Sequence, residues 1–250
     1  SPLKTRNPLI CMYRTLNRCF GPLHWWPGDK PFEVAVGAIL TQNTNWANVE
    51  KAIGRIKAQG ALEPSILNGI VDEDLQEMIR PSGCYRVKAR RLKAFLSVLC
   101  GDFGGDLARM LSGDLREARR RLLAIAGIGE ETADSILLYA GRKPVFVVDA
   151  YTRRILERHG ILKGRPSYGE IQRLFMNVLP VDAGLYNQYH ALIVETGKRF
   201  CRKAPRCGEC PLREVSGWKR PGGRDATGRE KCSSGKKSSK RGSRKTATRS

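Results

Sequence analysis

A glycine pair set between two helical runs constrains this chain more than any other feature. Leu122-Leu123-Ala124-Ile125-Ala126 is an apolar helical run that stops at Gly127, and Thr132-Ala133-Asp134-Ser135-Ile136-Leu137-Leu138-Tyr139 restarts helical periodicity. The segment therefore reads as helix, short glycine turn, helix. In Gly127-Ile128-Gly129 the two glycines flank one apolar residue. Such a turn is tight, leaves no side chain between its amides and a ligand, and sets a helix N-terminus behind them, which is a geometry that holds a phosphate. An ordinary helix-helix turn with Ile128 as a core plug accounts for the same residues. Sixteen residues beyond Ala133, Asp149 places a lone carboxylate directly after the apolar run Val145-Phe146-Val147-Val148. Since Ala150-Tyr151-Thr152-Arg153-Arg154-Ile155 continues with helical spacing, Asp149 reads as an N-cap, a role compatible with a second one in chemistry.

Apolar residues recur at helical spacing in 34–40, 49–56, 88–99, 117–125, 132–140, 149–158, 168–179 and 185–198, which predicts an all-α protein. Only Val145-Phe146-Val147-Val148 passes for a strand, and it is short and bounded by Pro144 and Asp149. No fixed-period repeat is visible, so a solenoid is excluded. With 250 residues, 41% of them hydrophobic, the chain can bury a sizeable core in one large or two small domains.

The formal net charge is +21 and the pI about 10.1, which points to an anionic polymer as partner, either nucleic acid or an anionic membrane surface. No apolar stretch approaches the roughly 20 residues that span a bilayer, and the N-terminus lacks both a basic n-region and a continuous apolar h-region. The expectation is a soluble intracellular protein without membrane association. Residues 219–250 hold twelve Lys or Arg against Asp225 and Glu230. Being rich in Ser, Gly and Thr and poor in large apolar residues, this tail is expected to be disordered and to attract phosphates in a salt-sensitive way, or to serve as a solubilising extension.

Ile125-Ala126-Gly127-Ile128-Gly129, then Thr132-Ala133, then Val148-Asp149, resembles the helix-hairpin-helix DNA glycosylase family to which endonuclease III belongs. Upstream, His24-Trp25-Trp26-Pro27, Leu40-Thr41-Gln42-Asn43-Thr44-Asn45-Trp46 and Arg80-Pro81-Ser82-Gly83-Cys84-Tyr85 occur in order. With His190, Ile193-Val194-Glu195 and Lys198 they resemble the 3-methyladenine DNA glycosylase III branch, over roughly residues 20 to 200. The resemblance implies two helical domains with an active cleft between them: a central one at 32–142 carrying the hairpin, and a second made of 1–31 and 143–216 and ending in a Cys-rich loop. Residues 217–250 then form the basic tail.

The same resemblance implies roles for individual residues. Gly127, Gly129 and Thr132 would hold the DNA backbone, and Asp149 would stabilise an oxocarbenium-like transition state and orient water. Bifunctional members carry a lysine two positions after the second glycine, where it attacks the sugar as a Schiff-base nucleophile. This chain has Glu131 there, and a carboxylate cannot form the imine. Trp25, Trp26, Pro27 and Trp46 fall on positions lining the base pocket. A cationic base stacked on indole gains ~1 to 2 kcal/mol when desolvated, although adjacent tryptophans also serve simply as core. Lys198 matches a lysine near that pocket, and equally complements a helix C-terminus. Gln42 matches a side chain that fills the gap left by the extruded nucleotide, or else satisfies nearby backbone.

Of eight cysteines, Cys201, Cys207 and Cys210 are spaced x5 then x2 after the final helical run, which suggests a metal centre more than disulfides in a reducing compartment. They resemble the iron-sulfur loop of endonuclease III, in which a fourth cysteine follows after five residues; that place is Ser216 here. Serine ligation, recruitment of Cys232 from the tail, a three-cysteine cluster, a zinc site and an empty loop all stay open, four thiolates being the usual complement of a 4Fe-4S centre. Lys203, Arg206, Arg199, Arg202 and Arg213 would set this loop against a DNA strand.

The reading that follows is an all-α, monomeric base-excision glycosylase of the cytoplasm or nucleoid. It flips a damaged base, foremost an alkylated purine such as 3-methyladenine, from double-stranded DNA and hydrolyses its N-glycosidic bond without strand cleavage. The alternatives are an endonuclease III-like or mismatch glycosylase with lyase activity, and a catalytically silent damage-binding protein.

Overall fold

The structure is a computed structural model that describes residues 7–23 and 30–215. Among the described residues there are helices and no strand. The helices are α1 (Pro8–Phe20), α2 (Pro31–Leu40), α3 (Trp46–Ala58), α4 (Pro64–Gly69), α5 (Asp72–Ile79), α6 (Tyr85–Phe103), α7 (Leu107–Met110), α8 (Leu115–Leu123), α9 (Glu130–Ser135), α10 (Ala150–Arg158), α11 (Tyr168–Met176) and α12 (Ala183–Arg199). Their starts are written into the sequence. Asn7, Asn45, Asp106, Asp114, Asp149, Ser167 and Asp182 each accept a first-turn amide on the side chain, worth about 1 kcal/mol apiece. Ser167 and Glu170 complete a reciprocal capping box.

The run predicted at 132–140 is not one uniform helix. α9 is α-helical through Ser135 and then widens into a π-turn at Ile136–Ala140. Such turns occur mostly as single insertions, frequently at functional sites, and one turn is too short for its period to show in the apolar pattern. Helices α1, α4, α5 and α7 lie outside the predicted runs. α4, α5 and α7 bury only one or two side chains each, such as Leu75 and Ile79 of α5, so they lack a readable stripe.

α1 packs on α12 and on the 3-10 turn at Pro211–Glu214. The Tyr189 hydroxyl donates to Leu9 O at 2.6 Å and Gln188 Nε2 bridges Asn17 Oδ1 and Gly21 O, both at 2.9 Å. α2 runs against α3, α6, α9 and the π-turn. Lys88 of α6 is buried and points its ammonium at Leu40 O, 2.8 Å away, and at Ser82 O; burial lowers its pKa, against the Cys84 charge and together with that of Arg91. It fixes the end of α2 just before Gln42.

Val145–Val148 is irregular extended chain, buried throughout. It needs no sheet because helices cover it: Phe146 stacks on Phe175 at 4.0 Å and meets Tyr186 and Tyr189 edge-on, burial worth roughly 1.5–3 kcal/mol per aromatic side chain. Its peptide groups turn to side chains instead, Phe146 O accepting from Gln172 Nε2 at 2.7 Å and Val148 N donating to the Tyr168 hydroxyl at 3.3 Å. α10, which follows, lies close on α12 because Gly197 has no Cβ. A Cβ there would fall 2.2 Å from Tyr151 Cδ1. No helix among the described residues is long and apolar enough to cross a membrane.

Candidate active site

The hairpin between α8 and α9 leaves Gly127 and Gly129 exposed and buries Ile128, so the core-plug role of Ile128 and an open amide face coexist. The two glycines are not equivalent. Gly127 sits at φ +86°, and a Cβ there would lie 2.3 Å from Arg91 Cγ. Gly129 has φ −90° and ψ 178°, open to any residue, with nothing within 4 Å of a built Cβ. Gly127 is thus demanded by the fold, whereas the bareness of Gly129 leaves the first amides of α9 approachable.

Gln42 is tied to this hairpin. Its Nε2 donates to Gly127 O at 3.1 Å and to Thr132 Oγ1 at 2.9 Å, and its Oε1 accepts from Arg91 Nη1. The side chain expected as a wedge into DNA is therefore engaged by three groups of the protein itself. Arg91, which no motif singled out, completes the set.

Asp149 caps α10. Its Oδ1 accepts from Thr152 N at 2.7 Å and from Thr152 Oγ1 at 2.8 Å, and its Oδ2 stands 3.7 Å from His190 Nε2 of α12. That separation is longer than a formed hydrogen bond. The Asp149 side chain keeps 13% of its surface exposed. Burial would raise its pKa, but His190 and the two Thr152 bonds outweigh it and hold the carboxyl below its ordinary range. Behind His190, the Tyr139 hydroxyl of the π-turn meets Nδ1.

Glu131, on the first turn of α9, shares this electrostatic neighbourhood. Solvent reaches its residue surface, yet protein crowds the carboxyl enough that burial, and then the Asp149 charge, raise its pKa, with His190 opposing. Two carboxylates that feel each other's charge have pKa values pushed apart by their environments: Asp149 downward, Glu131 upward.

The remaining expected residues are more dispersed. Trp46 lays its ring along Gly37 of α2 and donates Nε1 to Glu50 Oε1 at 2.8 Å, giving it to the α2–α3 contact. Lys198 is exposed in the last turn of α12, where its carbonyl accepts from Arg202 Nε at 2.8 Å. Trp25, Trp26, Pro27, Ser216, Cys232 and the basic tail at 217–250 lie outside the described residues. Cys201 and Cys210 are buried and Cys207 half-buried, with Arg158 Nη1 3.3 Å from Cys201 Sγ. Among the described residues no three His, Cys, Asp or Glu side chains are gathered so as to hold a metal ion. Cys201, Cys207 and Cys210 are the described residues that would contribute ligands to a cluster, and the candidate fourth ligands Ser216 and Cys232 fall outside the described residues.

An exposed glycine hairpin beside a largely buried, capped aspartate is the arrangement of a helix-hairpin-helix protein of DNA repair. The chain belongs to the HhH-GPD superfamily of base excision DNA repair proteins, which it matches over residues 36–181. It is 47% identical over 207 residues to the Methanocaldococcus jannaschii protein MJ1434, itself provisionally named a DNA repair glycosylase, covering 81% of this chain and 93% of that one. It is 32% identical over 184 residues to endonuclease III of Thermotoga maritima, covering 73% and 81%. Among solved structures, the H. pylori 3-methyladenine DNA glycosylase bound to 1,N6-ethenoadenine superposes with a TM-score of 0.65 at 29% identity, over 77% of this chain and 98% of that one. A trapped endonuclease III–DNA covalent intermediate superposes at 0.71, over 82% and 92%. Its 24% identity carries the fold alone.

Proposed function

We propose that this glycosylase is monofunctional and releases an alkylated purine, such as 3-methyladenine, from double-stranded DNA, acting as a monomer. The observation that carries the reading is the pairing of Asp149 with Glu131. A lysine amine would be needed at position 131 for an imine with the sugar, and the residue there is a carboxylate. Asp149 is ionised, fixed by its cap, and has one oxygen left over from that cap. It stabilises positive charge developing on the deoxyribose and orients or deprotonates the attacking water. A purine methylated at a ring nitrogen is a cation that departs as a neutral base, so little acid catalysis is required. The negative pair Asp149 and Glu131 suits both that cation and the sugar cation that follows. The likeness to a 3-methyladenine glycosylase at 29% identity supports the substrate class. The hairpin amides at Gly127 and Gly129 would hold the backbone phosphates, and Trp25 and Trp26 would stack on the base.

Base release is measured on duplexes carrying 3-methyladenine, 7-methylguanine, hypoxanthine, an oxidised pyrimidine or mismatched thymine, comparing wild type with Asp149→Asn, with borohydride added to trap any imine. Methylated purine released without strand break or adduct, and lost in the variant, is the expected result. A second reading, a mismatch glycosylase, is favoured by the 26% identity over 214 residues to a thymine/uracil-DNA glycosylase of Pyrobaculum aerophilum. Release of thymine alone would establish it, and binding to abasic DNA without release of any base would make the protein a silent damage binder.

A further inference from the structure

The chemistry above leaves unused the most buried carboxylate near the site. Asp134 of α9 is fully buried. Arg119 of α8 donates to it through Nε at 2.7 Å and Nη2 at 3.1 Å, and Gln172 of α11 through Nε2 at 2.7 Å. Tyr168, at the start of α11, lies in the charge field of Asp134. Gln172 and Tyr168 also hold the chain leading into Asp149. Gln172 Nε2 reaches Phe146 O at 2.7 Å, and the Tyr168 hydroxyl accepts the Val148 N–H at 3.3 Å. Burial and the Asp134 charge push the Tyr168 pKa far up, so the hydroxyl keeps its proton while it accepts from Val148 N. At the other end Arg119 Nη2 lies 3.3 Å from Glu130, the residue after Gly129.

Burying an ion pair in a core contributes little net stability compared with apolar side chains of the same volume. What the charged set adds here is a fixed location, and it links both helices of the hairpin to the peptide immediately before Asp149. We propose that Tyr168 and Asp134 are positioning residues that set the height of the Asp149 carboxylate through the Val148 peptide and lock that height to the glycine hairpin. The inference rests on the reading of Asp149 as the group facing the sugar, but not on which base is released.

The test therefore avoids the base. Affinity is measured for duplexes carrying a cationic pyrrolidine abasic analogue and for duplexes carrying the neutral tetrahydrofuran analogue. Their ratio reports how well a carboxylate faces the sugar, and the tetrahydrofuran value reports hairpin binding. Wild type prefers the cationic analogue, and Asp149→Asn removes the preference. Tyr168→Phe keeps the ring and deletes only the hydroxyl. It is expected to cut the preference at least tenfold while changing tetrahydrofuran affinity less than twofold. Leu67→Ala, in the distant α4, controls for lowered stability: it should lower Tm and leave the ratio intact. A full preference in Tyr168→Phe, or an equal loss in Leu67→Ala, overturns the positioning role while Asp149 stands. A wild type without preference, or an Asp149→Asn that keeps it, overturns the Asp149 reading and the inference with it.

Discussion

The Tyr139 hydroxyl shares a hydrogen bond with His190 Nδ1 directly behind the Asp149 carboxylate. Burial, then the Asp149 and Glu131 charges, raise the Tyr139 pKa well above its usual value, so the hydroxyl keeps its proton. On the other side of the ring, His190 Nε2 faces Asp149 Oδ2 at 3.7 Å, so the imidazole links the π-turn to the Asp149 carboxylate.

His190→Gln should slow base release about tenfold, corresponding to roughly 1.4 kcal/mol of lost transition-state stabilisation. Because His190 is among the groups holding the Asp149 pKa down, its removal should also move the acid limb of the pH–rate profile to higher pH. A single-turnover pH profile checks this. An unmoved acid limb would mean that the Thr152 cap alone governs the ionisation of Asp149.

Glu131 carries the opposite linkage. Its folded pKa is raised above 4.5, so the folded state binds the proton more tightly than the unfolded chain, and stability falls as pH rises through the window between the two values. At neutral pH the ionised Glu131 is therefore a cost. Glu131→Gln should raise Tm near pH 7, and its advantage should vanish below about pH 4.5, where both states of the wild type are protonated. Asp149 runs the other way: its lowered pKa adds stability above 3.8 that is lost as pH falls through the folded value. Thermal melts of wild type, Glu131→Gln and Asp149→Asn across pH 3–8 separate the two.

The same position tests the proposed absence of lyase chemistry. Glu131→Lys puts an amine on the first turn of α9, in the charge field of Asp149 and His190, where the neighbouring carboxylate favours its protonated form. Borohydride should trap an adduct on abasic DNA with Glu131→Lys and none with wild type. The yield should rise with pH as the amine deprotonates. A wild-type adduct would require a different amine as nucleophile.

Most helices with a continuous apolar face, the hairpin and the Asp149 cap were legible in the sequence, because 3.6-residue periodicity, glycine punctuation and capping chemistry are local signals. α1, which buries Leu9, Ile10, Met12 and Leu16, was missed, and α5, with two buried side chains, was not legible either. Nor were the partners that complete the site. His190 and Tyr139 are 51 residues apart and Arg91 and Gln42 are 49 apart, and no local pattern reports a pairing set by tertiary packing. Asp134 reads in sequence as one polar residue on an apolar helix, and its role emerges only once α8 and α11 close over it. Gln42 had two sequence readings, a wedge into DNA or an amide satisfying backbone, and in the fold its amide is bonded to Gly127 O and Thr132 Oγ1, partners 85 and 90 residues away that no local pattern reports.

That bonding makes the two hairpin glycines separable by experiment. At Gly127, alanine would have to adopt a positive φ and place its Cβ 2.3 Å from Arg91 Cγ. Left-handed backbone costs roughly 1–2 kcal/mol and overpacking roughly 1–3, so Gly127→Ala should lower Tm by several degrees. Displacing Arg91 also breaks its bond to Gln42, so DNA affinity should fall with it. At Gly129 the backbone is ordinary and the space is open; Gly129→Ala should leave Tm within about a degree. If a phosphate approaches the first amides of α9, the added methyl intrudes on the ligand rather than the fold, and affinity for a tetrahydrofuran duplex should drop about tenfold with stability unchanged. Equal affinity in Gly129→Ala and wild type would move the phosphate contact away from this turn and leave Gly127 with a purely architectural task.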